Sequence, residues 1–237
     1  MTSDIKAILL DIEGTTTPID FVHKVLFPFS RERMPEFVQE NFDQLSNEIG
    51  LLAIEHASET AYRSVFDKNS PAPVTEFLLF LVDNDRKSTP LKSIQGMIWQ
   101  EGYESGKIRS QVFDDVPRAF ERWTAAGKQI AIYSSGSVLA QRDLFRHTNY
   151  GDLTPFISAY FDTTTGGKKE AESYVRIAAE LAMEAGKILF VSDVVAELDA
   201  ARSAGTQSAL SIRAGNAPVD EYHDHRMIRS FDELDQS

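Results

Sequence analysis

Cysteine is absent from the 237 residues, which excludes disulfides, thiolate nucleophiles and Cys-ligated zinc or iron–sulfur sites. Basic charge is scarce. Against 36 Asp and Glu stand 24 Lys and Arg, a formal charge of −12, so neither nucleic acid nor an anionic membrane is expected as a main partner, because both reward clustered Lys and Arg. There is no run of about 18 apolar residues to span a bilayer. Met1-Thr2-Ser3-Asp4 lacks the basic start and following apolar stretch of a secretion signal, and the expectation is a cytoplasmic, monomeric protein. No internal repeat or low-complexity tract breaks the chain. What is present is 42% apolar and 10% aromatic residues, enough for one large core or a core plus a smaller domain.

Ile5 to Leu10 is an apolar run that ends in Asp11-Ile12-Glu13-Gly14. Such a run, without apolar/polar alternation, predicts a parallel strand buried on both faces, and in open α/β sheets reactive groups gather just beyond the strands' carboxyl ends. On extended backbone Asp11 and Glu13 project to one side, and Gly14 lets the chain turn sharply. Two carboxylates this close repel unless a cation lies between them, and Mg²⁺ takes oxygen ligands. Asp11 is also a candidate nucleophile toward phosphorus, with Glu13 as the acid that protonates a leaving oxygen and then activates water. Taken alone, the triplet reads sooner as an ordinary acidic loop than as a site.

From Ile19 to about Gly106 the spacing predicts four or so helices and no strand, which suggests a lid inserted after the first strand. Beyond Val112 strands alternate with helices: Gln129–Tyr133, Ser158–Phe161, Lys187–Val191 and Ser208–Ile212 follow a helix predicted over Pro117–Ala126. The expected fold is therefore a doubly wound (Rossmann-like) five-stranded parallel sheet, residues 1–18 and 107–237, with an all-helical cap at 19–106. The histidines of Tyr222-His223-Asp224-His225 are expected at the surface, since three metal ligands are not evident there.

Each later strand ends in chemistry. Tyr133-Ser134-Ser135-Gly136-Ser137 puts hydroxyls at a strand-to-helix turn, suited to phosphate but equally to a plain helix cap. Gly166-Gly167-Lys168-Lys169 brings lysines to the start of a helix, where the dipole disfavours them and another partner is called for. Ser192-Asp193 places a further acid at a strand end, one turn before Glu197. The order of nucleophile and acid, hydroxyl, lysine, acid after four successive strands is what weighs against four unrelated structural explanations.

That order resembles the haloacid dehalogenase-like phosphohydrolase superfamily. In closer detail, Asp-Ile-Glu-Gly-Thr-Thr at 11–16, Leu91–Trp99 with Gly102-Tyr103, Tyr133–Ser137, and Gly166-Gly167-Lys168 followed by Ser173-Tyr174 resemble the enolase-phosphatases of methionine salvage. Glu13 is the specific mark, because the commoner phosphatase pattern has Asp there. The resemblance implies a Mg²⁺-dependent enzyme that takes a small-molecule phosphate ester, 2,3-diketo-5-methylthiopentyl-1-phosphate, through its enol phosphate to acireductone and phosphate. It further implies that Asp11, Glu13 and Asp193 hold the metal and that Ser134, Ser135 and Lys168 bind substrate, with Lys168 favoured over Lys169 by its spacing from Gly166 and to Ser173-Tyr174. Two other readings stand beside it: a sugar- or nucleotide-phosphate phosphatase on the same core, and a non-catalytic metal-binding module.

Overall fold

A computed structural model of the chain describes residues 5–219 and 223–234. Met1-Thr2-Ser3-Asp4 and Tyr222, on which two of the expectations above rest, lie outside those residues.

Ala7–Leu10 (β1) is buried at all four positions and is flanked on both sides. It pairs in parallel with Gln129–Tyr133 (β2), Leu9 opposite Ala131, and with Ile188–Ser192 (β4), Leu9 opposite Phe190. Ala159–Phe161 (β3), Gln207–Ser211 (β5) and Arg226–Ile228 (β6) complete a parallel sheet of order β3-β2-β1-β4-β5-β6. The order reverses at β1, the switch point beyond whose carboxyl end ligands bind in such sheets. Both faces are apolar, which is why β1 shows no alternation. Ala7, Leu9, Ala131, Tyr133 and Phe190 pack with Tyr174, Ile177 and Leu198. A second group of buried rings, Phe120, Trp123, Phe145 and Phe231, is in mutual contact.

The sheet has six strands where five are expected. Three-residue β6 has Arg226 and Met227 exposed, so it carries no apolar signature. His225, expected at the surface, is buried beside it: Nδ1 meets Ser208 Oγ at 2.8 Å and Nε2 meets Asp199 at 3.0 Å. A histidine that bonds on both nitrogens ties the β6 segment to the sheet.

In chain order the helices are α1 (Ile19–Phe21), running through a π-helical turn at Val22–Leu26 into α2 (Phe27–Asn41), then α3 (Ser46–Ser58), α4 (Pro71–Asp83), α5 (Thr89–Glu104), α6 (Asp115–Ala125), α7 (Val138–Arg146), α8 (Ala171–Glu180) and α9 (Val195–Ser203). Pro71 and Pro90 occupy first-turn positions, where the missing N–H costs nothing. Ser88 caps α5 by accepting from Leu91 N. The chain divides into two compact units, Met1–Val22 with Arg109–Ser237, and His23–Ile108. The second has its own apolar centre, including Met34, Phe37, Leu52, Phe77, Leu78 and Ile98. Among the described residues no helix is long and apolar enough to cross a membrane.

Candidate active site

Asp11 directly follows β1, and its backbone N–H still bonds Val191 O at 3.0 Å, so the ladder fixes its direction. The side chain is 7% exposed. Oδ1 accepts from Ile12 N at 2.8 Å and meets Lys168 Nζ at 2.7 Å. The Ser192 hydroxyl stands between Asp11 Oδ2, at 3.2 Å, and Glu197 Oε2, at 3.0 Å, and donates to one at a time. After Asp11 the chain turns tightly: Thr15, Thr16 and Thr17 all donate to Ile12 O, with Gly14 at φ +66°, a region open to glycine at little cost. Glu13 is half-buried in this turn and forms a backbone bridge to Thr17.

Lys168 reaches Asp11 and Glu197 at 2.7 Å each, with its side chain 11% exposed. Its loop is held by carbonyls: Tyr133 OH donates to Gly166 O, Ser173 Oγ to Gly167 O and Tyr174 OH to Lys168 O. The ammonium is thus presented from fixed backbone, whereas Lys169 is exposed to solvent. Burial pulls Lys168 down, but the Asp11 and Glu197 charges more than offset it and raise its pKa. Burial and the Asp11 charge push Glu197 up, against the pull of Lys168.

Asp193, the residue after β4, has its carboxyl over the Gly14 turn. Burial, then the nearby Asp11 charge, push it up to about 7. Asn216 shares that position: its Nδ2 donates to Gly14 O and Ser211 O. The structure therefore brings Asp11, Lys168, Asp193 and Glu197 together. Ser134 is buried at the carboxyl end of β2, next to β1, and its Oγ accepts from Gly136 N, while Ser135 is exposed. Ser137 is the residue that caps α7, accepting from Ala140 N.

Among the described residues no three Asp, Glu or His side chains are gathered as a ready set of metal ligands, so Asp11, Glu13 and Asp193 form no three-carboxylate cage. The donors still suit a hard cation. Asp11 and Glu197 share the Lys168 ammonium, Asp193 lies within reach of the same charges, and the neighbouring Asn216 Oδ1 is a buried acceptor with no hydrogen-bond partner. Mg²⁺ is held by one or two carboxylates and keeps several waters, so Asp11 and Asp193 meet its needs without a cage.

A family profile for haloacid dehalogenase-like hydrolases matches residues 5–205. The chain belongs to that family. Among its relatives, the enolase-phosphatase E1 of Synechococcus elongatus is 52% identical over 97% of this chain and 98% of its own. That of Leptospira borgpetersenii is 46% identical over 97% and 98%, and that of Drosophila persimilis 44% over 97% and 94%. In structure, the unknown transcript 4 protein of Saccharomyces cerevisiae covers 97% of this chain and 99% of its own at 34% identity, with a TM-score of 0.79. CbbY of Rhodobacter sphaeroides, solved with phosphate, shares the fold at 16% identity and a TM-score of 0.61, over 98% and 96%. Ser192, Tyr133 and Tyr174 stand inside the motifs quoted from the sequence but carry no role there, because each reads as core or strand filler until its hydroxyl is located on Asp11 and Glu197 or on the lysine loop.

Proposed function

We propose that this hydrolase is the enolase-phosphatase of methionine salvage, converting 2,3-diketo-5-methylthiopentyl-1-phosphate through its enol phosphate to acireductone and phosphate. The observation that carries this is a buried Asp11 carboxylate, held by Lys168 at 2.7 Å, in a chain that matches enolase-phosphatases E1 over nearly its full length. In the phosphatase step an Asp11 oxygen attacks phosphorus, the P–O ester bond breaks, and Glu13 gives a proton to the leaving oxygen. Water, relieved of a proton by Glu13, then attacks the aspartyl-phosphate, releasing phosphate and restoring the carboxylate. Lys168 balances charge on the phosphoryl oxygens through a buried ammonium, and Ser134 and Ser135 donate to the same group.

Mg²⁺, when bound by Asp11 and Asp193, supplies the further positive charge that phosphoryl transfer and a developing enolate both require. Residues 19–106, the helical insertion, are assigned the part of a cap that sets which phosphate ester is accepted. The enzyme works as a cytoplasmic monomer on this small phosphate ester. Incubating purified protein with the diketone phosphate and Mg²⁺, and following enol absorbance and released phosphate together, tests the reading. Both signals, lost on chelation, are expected. Phosphate from sugar or nucleotide phosphates at higher kcat/KM than from the diketone phosphate would replace it with a general phosphatase.

A further inference from the structure

Two oxygens converge on the Gly14 turn. A Cβ placed on Gly14 would lie within 2.8 Å of Asn216 Oδ1 and of Asp193 Cγ, and closer still to Asp193 Oδ2. The Asn216 amide has only one sensible orientation, because Nδ2 faces two carbonyls, Gly14 O at 3.0 Å and Ser211 O at 3.1 Å, and both are acceptors. Oδ1 is therefore turned toward Asp193, buried and without a partner. A buried amide oxygen left unpaired costs about 1–3 kcal/mol, and no donor among the described residues reaches this one. A water held by a cation beside Asp193 supplies such a donor.

We propose that Asn216 is a positioning residue for the divalent cation: its amide oxygen accepts a hydrogen bond from a water carried by the cation that Asp11 and Asp193 hold. The inference rests on the metal-dependent reading of the site. Hard cations such as Mg²⁺ keep several of their waters, and groups that orient the ligand shell tune affinity by about 10–100-fold. The same side chain clamps Gly14 O, which also accepts from Ser211 Oγ at 3.0 Å. One residue thereby ties the turn that follows Asp11 to the segment after β5.

The test is Mn²⁺ binding to substrate-free protein, followed by the electron paramagnetic resonance of unbound Mn²⁺, with melting curves to verify folding. Asn216→Ala is expected to weaken binding about tenfold. Asn216→Asp, which loses the donors but keeps the oxygen, is expected to bind at least threefold more tightly than the Ala variant. Ser211→Ala, which loosens Gly14 O without touching the oxygen, is expected to stay within twofold of the unaltered protein. Should Asn216→Ala not fold, Asn216→Gln, which moves the amide oxygen by one methylene, takes its place with the same expected loss. Unchanged affinity in Asn216→Ala, an Asp variant no tighter than Ala, or a Ser211→Ala loss equal to that of Ala would overturn the proposal. Asp193→Asn separates the two layers. If it abolishes Mn²⁺ binding while Asn216→Ala does not weaken it, only this inference fails; if it leaves binding intact, the metal reading falls and the inference with it.

Discussion

The two units differ in where they place charge. In the helical unit the ion pairs lie outside: Arg31 meets Asp83 with both side chains about half exposed, and Arg33 fans out to Glu36, Glu40 and Glu101 on partly exposed surface. Its interior is apolar and aromatic, with Phe77 in contact with His56, Tyr62, Phe66 and Phe80. The α/β unit has exposed pairs as well, such as Arg118 with Asp232, but it also carries charge inside. Lys168, Asp11 and Glu197 form a buried cluster, and Arg213, 6% exposed, pairs with Asp115 at 2.8 Å while stacking between Phe113 and Phe231. Buried charge is costly to desolvate and strongly felt when unbalanced; surface pairs are screened and weak. The unit that accepts that cost is the one placed to do chemistry.

That contrast sets the order of mutational effects. Phe77→Ala in the helical interior should remove about 3–5 kcal/mol of that unit's stability, read as an early melting transition. A single unshifted transition would show the aromatic cluster to be dispensable. Lys168→Ala should lower phosphate release by about a hundredfold or more, since a buried charge-assisted donor is lost, while Lys169→Ala, on the surface, should change it less than about twofold. Equal losses would mean that burial does not separate the two lysines. Gly14→Ala should cost about tenfold in turnover, because φ +66° strains an L residue and its Cβ would collide with Asp193; full activity would show that the turn has room to relax. The smallest effect is expected from Asp83→Ala, whose half-exposed partner Arg31 stays solvated. No shift in melting temperature should be resolved, and a clear drop would give the helical surface an electrostatic role it is not assigned here.

Most of the α/β architecture was legible because burial on both faces writes itself as apolar runs, as in Ala7–Leu10 and Ile188–Val191. Helices in the insertion were legible from spacing alone, and in the α/β part the helix expected from Pro117 opens two residues earlier, at Asp115. Strand β6 was not, since an edge strand with Arg226 and Met227 exposed has no such run. The buried His225 escaped for a related reason: a histidine bonded to Ser208 and Asp199 looks the same in sequence as a solvated one. At the site, the lysine's approach to Asp11 follows from strand order, whereas the part of Asn216 depends on a fold-back from the polar segment after β5, where neither periodicity nor spacing speaks.

The central claim is that the Asp11 carboxylate is the nucleophile of a phosphatase step that follows enolisation. The most direct measurement is phosphate release from the diketone phosphate by Asp11→Asn at saturating Mg²⁺, with enol absorbance followed in parallel and Asn at position 11 verified by mass spectrometry after the run. The expected result is that the variant releases no phosphate while it still binds substrate, with slow enol phosphate formation compatible with intact enolisation. Sustained phosphate release by the verified variant would contradict the account.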